Sequence, residues 1–133
     1  MAYHPILAVD DDPAILDVVA QVLADEGYDV LTAGGGRAAV ELAREHLPKL
    51  ILLDLMMPEM NGWQVVAELR ALPQTRSIPV LLLSARRDTE LMANNLGVNS
   101  YLEKPFDLDE LLARVRRLLA LSSPGSSPLP RDI

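Results

Sequence analysis

The chain has 133 residues, of which 50% are hydrophobic and 23% are charged, a composition typical of one folded domain rather than of a disordered chain. It contains no cysteine, which excludes disulfides, thiolate metal sites and thiol catalysis. The formal net charge of −7 argues against direct binding of nucleic acid, because non-specific binding depends on a basic surface that neutralises phosphates.

The sequence predicts neither a membrane span nor a secretion signal. No apolar run approaches the roughly 20 residues that a membrane-spanning helix needs. The N-terminal "MAYHPILAVDDD" becomes acidic too early for a signal peptide. We therefore expect a cytoplasmic protein with no membrane partner.

Strands and helices are predicted to alternate along the chain. The aliphatic runs "ILAV", "LILL" and "VLLL" contain no polar residue, which is typical of strands in a parallel sheet covered by helices on both faces. "YDVLTA" and "SYL" are weaker strand candidates. Helices are predicted where apolar residues recur at helical spacing between capping residues, such as Asp12 and Pro13 before the first. In chain order the predictions are a strand at 6–9, a helix at 13–26, a strand at 28–33, a helix at 37–46, a strand at 50–53, a helix at 63–72, a strand at 80–83, a helix at 89–96, a strand at 100–102 and a helix at 107–121.

Five alternations of strand and helix predict a doubly wound α/β domain over residues 1–121. The remaining segment 122–133, "SSPGSSPLPRDI", is rich in serine and proline and is typical of a tail or linker. The triple glycine at 34–36 lacks the spacing and the lysine of a phosphate-binding loop, so we interpret it as a flexible entry to the second helix.

Polar residues follow most of the predicted strands. They are Asp10 and Asp11 after the first strand, Asp54 after the third, Ser84 after the fourth, and Glu103 and Lys104 after the fifth. Because ligands of open α/β sheets bind outside the carboxyl ends of the strands, we expect three acids, a hydroxyl and an ammonium to converge there.

This set of groups points to metal-assisted phosphoryl chemistry. Three neighbouring carboxylates repel one another unless a cation is supplied, and an all-oxygen site suits Mg²⁺, with Mn²⁺ as an alternative. A lysine and a hydroxyl would complete a cradle for the oxygens of a transferring phosphoryl group. Asp54 would then be the nucleophile that forms an acyl phosphate.

The motifs "VDDDP", "LLDLMMPEMNG", "LLLSA" and "YLEKPF" resemble those of the receiver domain of bacterial response regulators, and the resemblance covers about residues 6–121. It implies a flavodoxin-like (β/α)5 fold with strand order 2-1-3-4-5. It also implies phosphorylation of Asp54 by a histidine kinase or a histidine phosphotransfer protein. Such a protein is a signalling switch rather than a conventional turnover enzyme.

The resemblance assigns further roles around Asp54. Asp11 would bind Mg²⁺ directly and Asp10 would bind it through water, while the backbone carbonyl of Met56 would be another ligand. Lys104 would pair with the acids before the phosphoryl group arrives. The peptide bond between Lys104 and Pro105 would be cis.

The switch itself would involve Ser84 and Tyr101. Ser84 would hydrogen-bond the phosphoryl oxygen, and the ring of Tyr101 would turn inward when Ser84 moves. The output face would comprise the fourth predicted helix, the fifth strand and the fifth helix. Met56 and Arg86 would flank the path of attacking water and so tune dephosphorylation.

Each residue also has a structural interpretation. Asp12 is better explained as a helix cap, whereas Asp54 and Ser84 alone could also be caps. Lys104 with Pro105 could form an ordinary turn, and a tyrosine such as Tyr101 is common in strands. No such role requires Asp10 and Asp11, which favours the functional interpretation for them.

The fifth predicted helix resembles that of receivers in the winged-helix transcription-factor subfamily, which dimerise through charge pairs on the output face. Asn99 and Ser100 stand where the usual pattern is acidic, so Arg114 would lack its partner. We therefore expect a monomer or a weak phosphorylation-dependent dimer. The output partner is not identified by the sequence, and both a stand-alone receiver and part of a longer regulator remain open.

Two rival functions remain. A phosphohydrolase with an aspartyl nucleophile usually carries a second acid two residues later, whereas this chain has Met56, which cannot transfer protons. A degenerate receiver that binds partners without phosphorylation would have lost one or more site residues, yet all of them are present.

Overall fold

The computed structural model describes residues 4–84, 98 and 100–122. The predicted helix at 89–96, Arg86, Asn99 and the tail after 122 lie outside the described residues. The described elements are β1 (Ile6–Val9), α1 (Pro13–Asp25), β2 (Val30–Ala33), α2 (Gly36–His46), β3 (Leu50–Asp54), α3 (Gly62–Ala71), β4 (Val80–Ser84), β5 (Ser100–Glu103) and the C-terminal helix (Leu108–Ser122).

The five strands form one parallel sheet in the order β2-β1-β3-β4-β5, which confirms the predicted fold class and strand order. β1 has its predicted bounds, whereas β3, β4 and β5 each run one residue further than predicted. These extra residues include Asp54 and Ser84, so the predicted site residues belong to the strands themselves.

β2 begins two residues later than predicted, at Val30. The reason lies in the end of α1, where the backbone N–H of Tyr28 donates to the carbonyl of Leu23 at 3.2 Å. Tyr28 therefore closes the helix, because carbonyls in the last turn need partners from the residues that follow.

Capping side chains determine where two of the helices begin. Asp12 accepts a hydrogen bond from the N–H of Ala14 at 3.0 Å, as predicted for the first helix. Asn61 and Gln64 form a reciprocal capping box before α3, with distances of 3.0 and 2.8 Å. α3 accordingly starts at Gly62, one residue before its predicted start.

Both faces of the sheet are buried under helices. One core cluster joins alternate strand residues such as Leu7 and Ile51 to α2 and α3. The other joins the intervening residues, such as Ile6 and Leu52, to α1 and the C-terminal helix. Because each strand faces apolar side chains on both sides, its sequence carries no polar alternation.

Two glycines allow loops to pack closely at the carboxyl end of the sheet. A Cβ on Gly62 would lie 2.8 Å from the carbonyl oxygen of Asp54, and one on Gly36 would lie 2.7 Å from that of Met60. Gly36 is thus a packing residue, whereas the sequence predicted only a flexible entry to the helix. No Cβ clash is found for Gly34.

Among the helices of the described part, none combines the length and the apolar composition that crossing a bilayer requires.

Candidate metal centre and functional site

Three carboxylates meet at the carboxyl end of the sheet. Asp10 and Asp11 follow β1, Asp54 ends β3, and oxygens of all three lie within 4.8 Å of one another. Asp10 and Asp54 are each only 4% exposed, whereas Asp11 is open to solvent. The predicted cluster therefore forms, with one carboxylate facing the bulk.

Lys104 lies across two of these acids. Its Nζ is 3.0 Å from Oδ2 of Asp10 and 3.3 Å from Oδ1 of Asp54, and its side chain is 19% exposed. The backbone N–H of Lys104 donates to the carbonyl of Ser84 at 2.7 Å, which holds the end of β5 against β4. The bond between Lys104 and Pro105 is cis, the isomer that the resemblance implied.

Backbone donors fix the orientation of the two buried carboxylates. The N–H of Asp12 donates to Oδ1 of Asp10 at 2.9 Å, and the N–H of Met56 donates to Oδ1 of Asp54 at 3.4 Å. Each carboxylate is therefore held by the turn that follows its own strand as well as by Lys104.

Burial dominates the electrostatics of Asp54. The pKa of Asp54 is raised from 3.8 to about 6, mainly by burial and then by the charge of Asp10, while Lys104 and the N–H of Met56 offset part of this increase. Burial alone would lower the pKa of Lys104, but its hydrogen bond to Asp10 and the charges of both acids raise it above its usual value.

The charge balance of this site fits a divalent cation. Three carboxylates face a single ammonium, so negative charge remains uncompensated where Asp54 is buried. Carboxylate oxygens are the ligands that Mg²⁺ prefers, and it commonly leaves positions for water or a phosphate oxygen. Asp10, Asp11 and Asp54 are thus suitable metal ligands by position and chemistry.

The other predicted residues lie nearby on β4 and β5. Ser84 ends β4 and is buried, and it is paired with Glu103 of β5. Tyr101 is paired with Leu82, is partly buried and packs against the core cluster under α2 and α3. Both are engaged in contacts within the chain.

Arg114 is bound within its own chain. Its guanidinium donates to the backbone carbonyl of Tyr101 and to Oγ of Ser100 at 3.3 Å, and it lies 3.5 Å from Glu110 one helical turn away. The partner that the sequence predicted Arg114 to lack is an acid of a second copy in the dimer, so that expectation stays a prediction beside these contacts within one chain. No short-range motif predicts the two acceptors on β5, because those contacts span 13 and 14 residues.

A groove beside Lys104 was also missed from the sequence. It has a volume of about 610 Å³ and lies between α1 and the start of the C-terminal helix. Its lining is apolar except for Lys104 and comprises Ala14, Ile15, Val18, Val19, Pro105, Phe106 and Leu108. Val18 was the available signal, since it is an apolar residue of α1 and is 50% exposed.

Comparisons with known proteins agree with this geometry. The sequence-family model of the response regulator receiver domain matches residues 6–116 of this chain. The chain is 46% identical over 116 residues to the DNA-binding dual master transcriptional regulator RpaA of Synechocystis, covering 86% of this chain and 48% of that protein. It is 43% identical to the DNA-binding response regulator MtrA of Mycolicibacterium smegmatis, covering 86% of this chain and 50% of that protein. The chain therefore spans about half the length of these relatives.

Solved structures show the same fold. The chemotaxis response regulator CheY4 of Vibrio cholerae superposes with a TM-score of 0.81 at 33% identity, covering 88% of this chain and 99% of that one. The matched region contains all five strands and the cluster of Asp10, Asp11 and Asp54. The chain therefore belongs to the family of response regulator receiver domains, the signalling switches of two-component systems.

Proposed function

We propose that this receiver accepts a phosphoryl group on Asp54, in a Mg²⁺-dependent reaction, from a phosphohistidine of a kinase or phosphotransfer protein. The observation that carries the proposal is the placement of Lys104, which bridges Asp10 and Asp54 at the mouth of a three-carboxylate cluster. We assign this activity to residues 1–121 and treat 122–133 as a tail or linker.

In the proposed transfer, an oxygen of the Asp54 carboxylate attacks phosphorus in line with the scissile bond. The new O–P bond forms as the N–P bond to histidine breaks, and the imidazole nitrogen retains the bonding electron pair. Asp10, Asp11, Asp54 and the backbone carbonyl of Met56 would hold Mg²⁺, with Mn²⁺ as an alternative. When bound, the metal would neutralise carboxylate charge and charge on the phosphoryl oxygens.

The protein's own groups would then hold the phosphoryl group. Lys104 already has its ammonium 3.3 Å from Asp54, so it can donate to a phosphoryl oxygen with a small displacement. Ser84 ends the neighbouring strand, which places its hydroxyl on the same edge of the sheet. β3 and β4 are paired and buried, which supports a fixed geometry between acceptor and donors.

The phosphoryl group would bias a two-state element that includes Ser84 and Tyr101. Moving such an element from 1:99 to 99:1 requires a differential stabilisation of about 5.5 kcal/mol. Ser84 and Tyr101 lie on paired strands, and Arg114 joins the carbonyl of Tyr101 to the C-terminal helix. These contacts support an output face that includes the fifth strand and the C-terminal helix, and the response would be read there by a partner protein or an attached effector.

The groove beside Lys104 supports docking of the phosphodonor. A donor histidine must approach Asp54 at the edge of the sheet, and the groove offers exposed apolar surface adjoining that edge. Val18 and Leu108 stand on its two walls and are both exposed. Apolar area of this kind supplies most of the affinity of a protein contact, whereas charge at the rim mainly sets orientation.

The test is incubation of the full chain with a small phosphodonor and Mg²⁺, alongside Asp54→Asn. We expect the wild type to gain one acid-stable, base-labile phosphate that the variant lacks. Steady release of inorganic phosphate from a phosphomonoester would instead favour the phosphohydrolase. Partner binding that is identical with and without phosphate would favour the degenerate, phosphorylation-independent receiver.

A further inference from the structure

Met56 is exposed to solvent and lies two residues after Asp54, the proposed acceptor. Its side chain lies in an exposed position, with 55% of the residue accessible. Leu55 before it is fully buried and Met57 after it is 7% exposed. Two adjacent methionines, two and three residues after Asp54, therefore differ sharply in their access to dissolved reagents.

The loop holds Met56 close to Asp54. The N–H of Met56 donates to Oδ1 of Asp54 at 3.4 Å, and the N–H of Gly62 donates to the carbonyl of Leu55 at 2.9 Å. The loop is further braced by the N–H of Met60, which donates to the carbonyl of Pro58 at 2.7 Å. A chemical change at the sulfur of Met56 therefore occurs at the rim of the acceptor site.

We propose that Met56 is a reversible oxidation site that couples hydroperoxide exposure to the lifetime of phosphorylated Asp54. In the reaction the thioether sulfur attacks one peroxide oxygen and the O–O bond breaks. That oxygen is transferred to sulfur to give the sulfoxide, and the other leaves as water when the oxidant is hydrogen peroxide. Sulfur is oxidised by two electrons and the peroxide is reduced by two.

Oxidation would change what Met56 does at the rim of the site. The thioether is apolar and excludes water from its side of Asp54, whereas a sulfoxide oxygen is a strong hydrogen-bond acceptor that retains water. Hydrolysis of an aspartyl phosphate needs water at phosphorus, so the oxidised protein loses its phosphate faster. This effect rests on the proposed phosphorylation of Asp54.

Selectivity comes from burial. Met57 packs in the core cluster under α2 and α3, where a polar sulfoxide could form only at the expense of packing. Met56 makes no such demand because it is exposed. Limited oxidation therefore modifies Met56 before Met57 and leaves that core cluster intact, and methionine sulfoxide reductase restores the thioether.

The experiment uses the full chain as wild type, Met56→Leu and Met57→Leu. Each protein is treated with graded hydrogen peroxide, and tandem mass spectrometry of the peptide containing both residues locates the gain of about 16 Da. Treated and untreated samples are then phosphorylated with a small phosphodonor and Mg²⁺, the donor is removed, and the decay of phosphate is followed. Circular dichroism confirms that treated samples remain folded.

We expect Met56 to be oxidised before Met57, and the decay of wild-type phosphate to accelerate at least threefold after treatment. The decay for Met56→Leu should be the same with and without peroxide, Met57→Leu should respond as the wild type does, and the reductase should reverse the acceleration. Oxidation of Met57 before Met56, an unchanged decay in oxidised wild type, or a peroxide-sensitive decay in Met56→Leu would each overturn the inference. An untreated wild type that takes no phosphate refutes the proposed function and with it the effect on lifetime, whereas the order of oxidation is still decided by the peptide map.

Discussion

The ammonium of Lys104 lies 3.0 Å from Asp10 and 3.3 Å from Asp54, although 94 and 50 residues separate it from them in the chain. These contacts join the ends of β1, β3 and β5 in a sheet where β4 lies between β3 and β5. One side chain therefore compensates part of the charge of two buried acids.

Removal of the Lys104 ammonium should therefore destabilise the folded protein. In Lys104→Met the two buried carboxylates lose their counter-ion, so we expect the free energy of unfolding at pH 7 without metal to fall by roughly 1–3 kcal/mol. Addition of Mg²⁺ should stabilise this variant more than the wild type, because its uncompensated acids gain more from a cation. Urea unfolding followed by circular dichroism, with EDTA and with Mg²⁺, measures both effects.

Lys49→Met is the matched control, because Lys49 is exposed and lies over the ring of Tyr28 at 5.5 Å, away from the acids. The free energy of unfolding of Lys49→Met should fall by less than about 1 kcal/mol, and this loss should not depend on Mg²⁺. Equal losses and equal Mg²⁺ responses in the two variants would contradict the role assigned to Lys104.

The raised pKa of Asp54 predicts how stability depends on pH. The folded protein holds the proton of Asp54 up to about pH 6, whereas the unfolded chain releases it near 3.8. Between these values the folded state binds more protons, so the contribution of Asp54 to stability is present below pH 4 and is lost as pH rises through 6.

Asp54→Asn has no carboxyl group to ionise at this position, so it should not lose this stability as the pH rises. Without metal we expect the variant to be more stable than the wild type at pH 7 by roughly 1–3 kcal/mol, and we expect the difference to vanish below about pH 4. Denaturant titrations at several pH values in EDTA measure it, with Asp29→Asn as a control at an exposed position. A difference that is constant from pH 4 to pH 7 would show that burial of the Asp54 charge is not the cause.

The fold and the identities of the acids could be predicted because both follow from strand ends. Parallel strands bring their carboxyl termini to one edge, so the residue after each aliphatic run samples that edge. This is why Asp10, Asp54, Ser84 and Lys104 were found from the sequence. The predicted third and fourth strands ended one residue too early because Asp54 and Ser84 continue the backbone pairing although their side chains are polar.

Contacts between segments that are distant in the chain could not be predicted. The acceptors of Arg114 depend on how the C-terminal helix is placed against β5, which no local pattern specifies. The same holds for Gly36, whose need for a bare Cα arises from the carbonyl of Met60, 24 positions away. The groove required the positions of α1 and the segment after Lys104 to be known together.

Substitution of Gly62 tests the importance of one such close contact. In Gly62→Ala the new Cβ would lie 2.8 Å from both the carbonyl oxygen of Asp54 and the Cα of Leu55, and these are backbone atoms that cannot rotate away. We expect a loss of roughly 1–3 kcal/mol in the free energy of unfolding and slower phosphate uptake, because the end of β3 must move. Gly34→Ala, with no atom within 4 Å of its Cβ, should change neither quantity appreciably. Comparable behaviour of the two variants in urea unfolding and phosphorylation assays would mean that the contact at Gly62 relaxes without consequence.

The groove should matter for a protein phosphodonor and not for a small one. Val18 is 50% exposed, so Val18→Asp should fold normally while placing a charge on the apolar wall beside Lys104. We expect the rate of phosphotransfer from a phosphohistidine protein that phosphorylates the wild type to fall at least tenfold, since a buried unpaired charge opposes docking. Uptake from a small phosphodonor should stay within about twofold, because its approach to Asp54 needs no docking surface. Leu121→Asp, at a residue 62% exposed near the far end of the C-terminal helix, supplies the matched control and should leave both rates unchanged. If Val18→Asp slows both donors equally, the substitution acts on the acceptor site itself and the groove is not where the donor binds.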